Sequence, residues 1–139
     1  MNFTPEFLDQ ANDNSLYRLV GIRVEEVGNG KAKAHLKPNP ELCWPFPKQP
    51  HGGVLFTLVD TTMAWAVIAD MYPDYTCTTI STNIQYTAPA NGGFCICSAQ
   101  VTHQTGRLSF VQAQVTGPDD KLLAMAQGTF RLVRRKNIT

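Results

Sequence analysis

The stretch HGGVLFTLVDTTMAWAVIAD, residues 51–70, constrains this 139-residue chain more than any other. From Gly53 to about Asp70 it reads as one helix of some 18 residues, ended by Pro73 and the YPDY stretch. Its apolar residues fall on every side, so it cannot lie on a surface and has to be wrapped by the rest of the fold. Residues 54–69 are apolar but shorter than the roughly 20 residues that span a bilayer, and Thr57, Asp60, Thr61 and Thr62 interrupt them. No membrane association is expected.

The segments around this helix read mostly as strands. Residues 5–18 offer one or two short helical turns, and 19–28, LVGIRVEEVG, alternate as a strand. Asn29-Gly30 is a two-residue hairpin signal with 31–37 as the partner strand, which makes His35 an ordinary surface or edge histidine. Residues 38–50 carry five of the nine prolines, so neither a helix nor a central strand continues there. That segment is expected to be a stiff loop presenting Trp44 and Phe46. Beyond the helix, 76–88, 94–104, 108–116 and 121–133 read as strands separated by PANGG, Gly106-Arg107 and Gly117-Pro118-Asp119-Asp120. Val111, Ala113 and Val115 alternate with polar residues, and Ala124, Ala126, Gly128, Phe130 and Leu132 share one side. Four consecutive hairpin-linked strands imply antiparallel pairing. The expected architecture is α+β, a curved antiparallel sheet wrapped around one long central apolar helix, with 1–139 as a single domain.

Composition narrows the function. A formal net charge of +1 with 17% charged residues argues against nucleic-acid binding, and no length is left for a DNA-binding appendage. The one basic run, Arg134-Arg135-Lys136, reads as a solvated tail. The N-terminus lacks the basic-then-apolar order of a secretion signal, so the cytoplasm is the expected compartment. Cys43, Cys77, Cys95 and Cys97 contain no C-x-x-C pair, and His35, His51 and His103 are scattered. Neither a metal, a disulfide framework nor a cofactor is expected.

The helix start carries chemistry. Glycines at 52 and 53 leave the first backbone N–H groups uncovered, at the end of the helix dipole that suits an oxygen gaining negative charge. Gly53, Thr57, Asp60, Thr61 and Ala64 fall on one helical face, a small polar stripe on an apolar rod. Gly52 and Asp60 are eight residues apart, roughly 12 Å along a helix. One carbonyl cannot touch both, so two helices packed antiparallel about a two-fold axis are required, with two composite sites in an obligatory homodimer. An oxyanion acceptor facing a carboxylate fits acyl transfer to water, Asp60 attacking the carbonyl or taking a proton from water. No G-x-S-x-G elbow competes for that role.

H-G-G followed by L-x-D resembles the hotdog-fold acyl-CoA thioesterases, and within them the phenylacetate-pathway (PaaI-like) group. "HGGVLFTLVDTTMAWAV" looks like that family's central-helix signature, "TTISTNIQYTAPANGG" like its following strand, and "GRLSFVQAQVTGPDDKLLAMAQGTFRLV" like its last two strands. The likeness runs over about 20–134. It implies hydrolysis of an aromatic or medium-chain acyl-CoA, with the Gly52 N–H polarising the thioester carbonyl and Asp60 of the partner subunit as nucleophile or general base. It also implies that His51 shapes the loop, that Thr78 helps to place water, and that coenzyme A lies near Gly106-Arg107, with Lys48 and the 134–136 run as further phosphate partners. Tetramers built from dimers follow from the same likeness. The expected substrate-binding set is Gly53, Thr57, Thr61, Ala64, Phe46 and Arg107, with Met63, Trp65, Phe56 and Trp44 lining the acyl pocket. One position departs: many relatives carry Asn or Gln six residues before the histidine, where this chain has Pro45, so Gln49 or Thr61 substitutes or catalysis is slow. Two alternatives stand beside hydrolysis: a non-catalytic acyl-CoA-binding module, and a hydratase or dehydratase of the same fold.

Overall fold

The computed structural model describes residues 3–45 and 48–137. Two short helices open the chain. α1 (Pro5–Asn12) is capped by Thr4, whose hydroxyl accepts from the Phe7 N–H, and α2 (Ser15–Val20) by Asn14, which accepts from the Tyr17 N–H. Gly21 ends α2 at φ 95, where a Cβ would stand 1.9 Å from the Lys37 carbonyl oxygen. The strand expected from residue 19 therefore starts later, as β1 (Ile22–Gly28). Asn29 and Gly30 turn the chain at φ 54 and 67 into β2 (Lys31–Leu36), as a hairpin of mirror-image turn geometry requires.

The proline-rich segment is more ordered than a loop. A 3₁₀ turn (Pro40–Leu42) leads into β3 (Cys43–Pro45) and β4 (Lys48–Pro50), a two-stranded antiparallel sheet of its own. Prolines are tolerated because each strand has only one neighbour and leaves an edge free. Phe46 lies outside the described residues, as does the Lys48 side chain.

After α3 (Gly52–Met71) come β5 (Tyr75–Tyr86), β6 (Cys95–Gln104), β7 (Leu108–Thr116) and β8 (Leu122–Arg134). The six-stranded antiparallel sheet runs β1-β2-β6-β7-β8-β5. Only β6–β7 and β7–β8 of the last four strands are hairpins. β5 pairs with β8 at the sheet edge, and the 87–94 connection carries the chain across to β6 beside β2. The Thr87 and Ala88 N–H groups both donate to the Leu123 carbonyl, which ties that connection to the start of β8.

α3 touches all six strands, so the sheet curls around it in the hotdog arrangement. Ala34, Leu36, Cys95, Cys97, Val111, Val115, Ala124 and Phe130 form the inner face, each fully or almost fully buried. Against them stand Leu55, Leu58, Val59, Met63, Ala66 and Val67 of the helix. The wrapping is one-sided. Gly53 and Phe56 are exposed and Thr57, Asp60, Thr61 and Ala64 half-buried, so one whole face of α3 is left open by its own chain. At 20 residues α3 is also long and apolar enough, by length and composition, to cross a bilayer, contrary to the shorter reading. Half of it is buried against the sheet, the place of a core helix.

Two further expectations change. Trp65 belongs to an aromatic cluster with Phe3 and Phe7, and its indole N–H donates to the Tyr17 hydroxyl at 2.9 Å. Met63 is fully buried beneath Gly128, so neither residue lines an acyl pocket with Phe56 and Trp44. The basic run is more than a solvated tail: Arg134 lies over the Tyr75 ring and donates to its hydroxyl, and Arg135 lies over Tyr72. Cation–π contact holds both exposed guanidiniums on the surface they cover.

Candidate active site

The start of α3 is fixed by its own side chains and by β5. His51 is the N-cap, and its Nδ1 accepts from the Gly53 N–H at 2.8 Å, while its carbonyl accepts from the Val54 N–H at 2.8 Å. A neutral His51 therefore carries its ring proton on Nε2. Of the first three amides of the helix, only the Gly52 N–H has no acceptor among the described residues. A Cβ on Gly53 would stand 3.0 Å from His51 Nδ1, so the second glycine is what lets the ring fold over the helix start. Trp44 of β3 lies against the His51 ring, with centroids 5.3 Å apart.

Two hollows flank this point. One, of ≈ 410 Å³, is walled by Trp44, Gln49, Gly52, Leu55 and Tyr86. The other, of ≈ 520 Å³, is walled by Trp44, Pro45, His51, Gly53 and Val54. Trp44 stands between them. Gln49 Oε1 is buried without a hydrogen-bond partner among the described residues, beside the glycine whose amide is free. Pro45 lines the second hollow and offers no donor, while Thr61 sits half-buried farther along the open face of α3.

Asp60 sits half-buried on the open face of α3, and no cation pairs with it among the described residues. Its Oδ1 accepts from the Thr79 hydroxyl at 2.8 Å. Thr78 does not take that position: Cys77 and Thr79 both turn to the helix, and alternation puts Thr78 on the opposite face of β5. Tyr86 was missed altogether. Its hydroxyl donates to the Gly52 carbonyl at 2.7 Å, and burial pushes its pKa up, which keeps it a donor.

The Cys77 thiol lies near Asp60 and donates to the Ala64 carbonyl at 3.7 Å. Burial, with the Asp60 charge adding to it, pushes this thiol up to about 12, so it is no thiolate nucleophile at neutral pH. Thr57 is occupied by its own helix, donating to the Gly53 carbonyl at 2.9 Å. Gly53, Thr57, Asp60, Thr61 and Ala64 do share the open face, as their spacing predicts. Arg107 is apart from them, exposed in the β6–β7 turn with its carbonyl accepting from the Leu132 N–H at 2.8 Å.

A free amide at the start of a long helix can polarise a carbonyl and a carboxylate can activate water, and this hotdog fold carries both groups on α3. The chain belongs to the thioesterase superfamily, whose sequence profile matches residues 50–124. Its activity class is thioester hydrolysis. Among solved structures, a conserved protein of Pseudomonas aeruginosa is 31% identical, with TM-score 0.82 over 89% of this chain and 98% of that one. A thioesterase of Haemophilus influenzae gives TM-score 0.87 at 22% identity, over 96% of this chain and 93% of its own. The PaaI protein of the phenylacetic acid degradation operon of E. coli gives 0.80 at 20% identity, over 90% and 88%. The comparison with curated proteins yields no match.

Proposed function

We propose that this protein hydrolyses the thioester of an aromatic or medium-chain acyl-CoA to the free acid and coenzyme A. The observation that carries the proposal is the pairing of an unoccupied Gly52 N–H with Asp60 on the uncovered face of one helix. The thioester carbonyl oxygen docks on the Gly52 amide, where the helix dipole stabilises the charge that develops in the tetrahedral intermediate. Asp60 attacks the carbonyl carbon or removes a proton from the attacking water. His51 shapes the oxyanion site through its bond to Gly53, and its Nε2–H is left to face the substrate. The water-placing hydroxyl fits Thr79 better than Thr78. Gly53, Thr57, Thr61 and Ala64 form the surface along which the acyl group lies, and Arg107 offers a guanidinium to the coenzyme A phosphates.

The two catalytic groups belong to different subunits. Eight residues of helix hold Gly52 roughly 12 Å from Asp60 in one chain. Two features support a two-fold dimer: the uncovered face of α3, and the free edge of β5, where Ile80 is 56% exposed. A tetramer of two such dimers is the further expectation, as is a cytoplasmic setting, which four free thiols suit.

Thiol release from phenylacetyl-, hydroxybenzoyl-, short- and medium-chain acyl-CoAs, with Asp60→Ala beside the wild type, tests the proposal. Turnover that collapses in the variant supports it. Pro45, with no side-chain donor where relatives carry one, favours a second reading as a non-catalytic acyl-CoA-binding module. Tight acyl-CoA binding without thiol release from any member of the panel establishes that reading instead.

A further inference from the structure

β5 reaches both ends of the site at once. Thr79 donates to the Asp60 carboxylate at 2.8 Å, and Tyr86 donates to the Gly52 carbonyl at 2.7 Å. The two hydroxyls are seven positions apart, and in a regular strand an odd separation sends side chains to opposite faces. The pairing with β8 resolves this. Thr79 lies opposite Phe130 and Ser81 opposite Thr129, so Ile80 is an extra residue with no partner of its own. This bulge resets the alternation, and Thr82, Ile84 and Tyr86 return to the helix side.

The Tyr86 bond acts on a peptide that is otherwise loose. Glycine stands on both sides of the Gly52–Gly53 peptide, and glycine torsions are the least restricted of any residue. Its carbonyl is held by Tyr86 and its N–H by His51 Nδ1, so the plane is fixed at both ends. A Cβ at position 52 would stand 3.3 Å from Tyr86 Cζ and from its hydroxyl oxygen, which is why a glycine there allows the phenol this close. Around Asp60, the groups facing it are the Cys77 thiol and the Thr79 hydroxyl from β5, with no cation among the described residues. Thr79 is thus the side-chain donor that fixes the orientation of the carboxylate among the described residues.

We infer that Thr79 and Tyr86 are positioning residues of the hydrolytic site, brought to one face of β5 by the bulge at Ile80. Thr79 orients the Asp60 carboxylate, and Tyr86 holds the helix start so that the Gly52 N–H faces outward. Neither touches the reacting carbonyl. This assignment rests on the thioesterase reading above.

The test is steady-state kinetics of wild type, Asp60→Ala, Thr79→Val, Thr79→Ser and Tyr86→Phe on the best thioester of the panel, with kcat and KM determined separately. Thr79→Val is expected to lower kcat about tenfold, the size of one lost hydrogen bond to a charged group, with KM nearly unchanged. Thr79→Ser, which keeps the hydroxyl, restores kcat. Tyr86→Phe lowers kcat about tenfold with KM nearly unchanged, because the amide it positions acts in the transition state. Wild-type kcat in both Thr79→Val and Tyr86→Phe overturns the assignment while leaving Asp60 hydrolysis intact. No thiol release by the wild type, or equal release by Asp60→Ala, overturns the thioesterase reading and the assignment together. Tyr86→Phe deletes a single oxygen and keeps the test decidable should Thr79→Val not fold.

Discussion

On one side of α3, Leu55, Leu58, Val59, Met63 and Val67 are buried against the sheet; on the other, Gly53 and Phe56 are exposed and Thr57, Asp60 and Ala64 only half-buried, with β5 reaching Asp60 and Ala64 from the side. The first side is apolar and the second small and polar apart from Phe56, and the chain fully covers only the first. The buried side makes the fold. The open side holds the carboxylate and the free amide, and in the proposed dimer a second surface closes over it. Electrostatic stabilisation is stronger once water is excluded, so the unfinished face is where chemistry belongs. The comparison implies that substitutions on the two sides part company, those on the open side costing rate and those on the buried side costing stability.

The largest effect is expected on the open side. Asp60→Asn removes the carboxylate of the polar stripe and is expected to lower kcat by about two to four orders of magnitude. Its thermal midpoint should stay near wild type, since Asp60 loses one hydrogen bond on an open face. Thiol release and a melting curve on the same preparation decide it, and an equal loss of stability would break the division between the faces. Leu58, with no exposed surface, is the matching case on the buried side. Leu58→Ala should cost about 3 kcal/mol in denaturant unfolding, the usual price of such a cavity, while the folded fraction keeps its kcat.

A smaller effect concerns what covers the open side. Phe56 is 37% exposed in the single chain and sits between Gly53 and Asp60 along the face. Phe56→Glu places a charge in the proposed dimer contact and is expected to weaken association by about 2 kcal/mol, roughly thirtyfold in the dimer dissociation constant. Sedimentation across a dilution series measures it. Turnover should fall in step with the monomer fraction. A fully active monomer would place both catalytic groups in one chain and end the two-fold scheme.

The difference between the two faces also marks how far the chain can be read without its structure. The helix was legible because prolines stand before it and at 73, and the alternation in β7 and β8 named their buried residues, Val111 and Phe130 among them. Asn29-Gly30 announced its turn. An all-round apolar helix carries no phase, however, so nothing in its composition said that Met63 and Trp65 would point away from Trp44 and Phe56. The partner of β5 was illegible for another reason: pairing with β8 is non-local, and a turn sequence such as PANGG states only that the chain reverses. The bulge at Ile80 decided the rest. One unpaired residue exchanges the faces of everything after it, and this is why Tyr86 reaches the helix start.

The smallest effect distinguishes the two sides by their thiols. Cys97, fully buried beneath α3, is pushed up to about 12 by burial, from an ordinary value of 9.0. A thiol raised in the folded state holds its proton there while the unfolded chain releases it. Its contribution is therefore complete below about pH 9 and is lost as pH rises from there towards 12. Cys97→Ala should differ from wild type by a constant amount at neutral pH, and this difference should shrink by about 1 kcal/mol by pH 10. Cys77 is also pushed up to about 12, again by burial first, but Asp60 adds to the shift. In Asp60→Asn that addition vanishes, and alkylation of Cys77 should begin at a lower pH than in wild type while Cys97 is unaffected. The displacement should be modest, because burial is the larger cause and the substitution leaves it in place. Mass-resolved alkylation of the two sites against pH reads the difference directly, and an equal displacement at both would mean that the substitution had loosened the buried side of the fold as well.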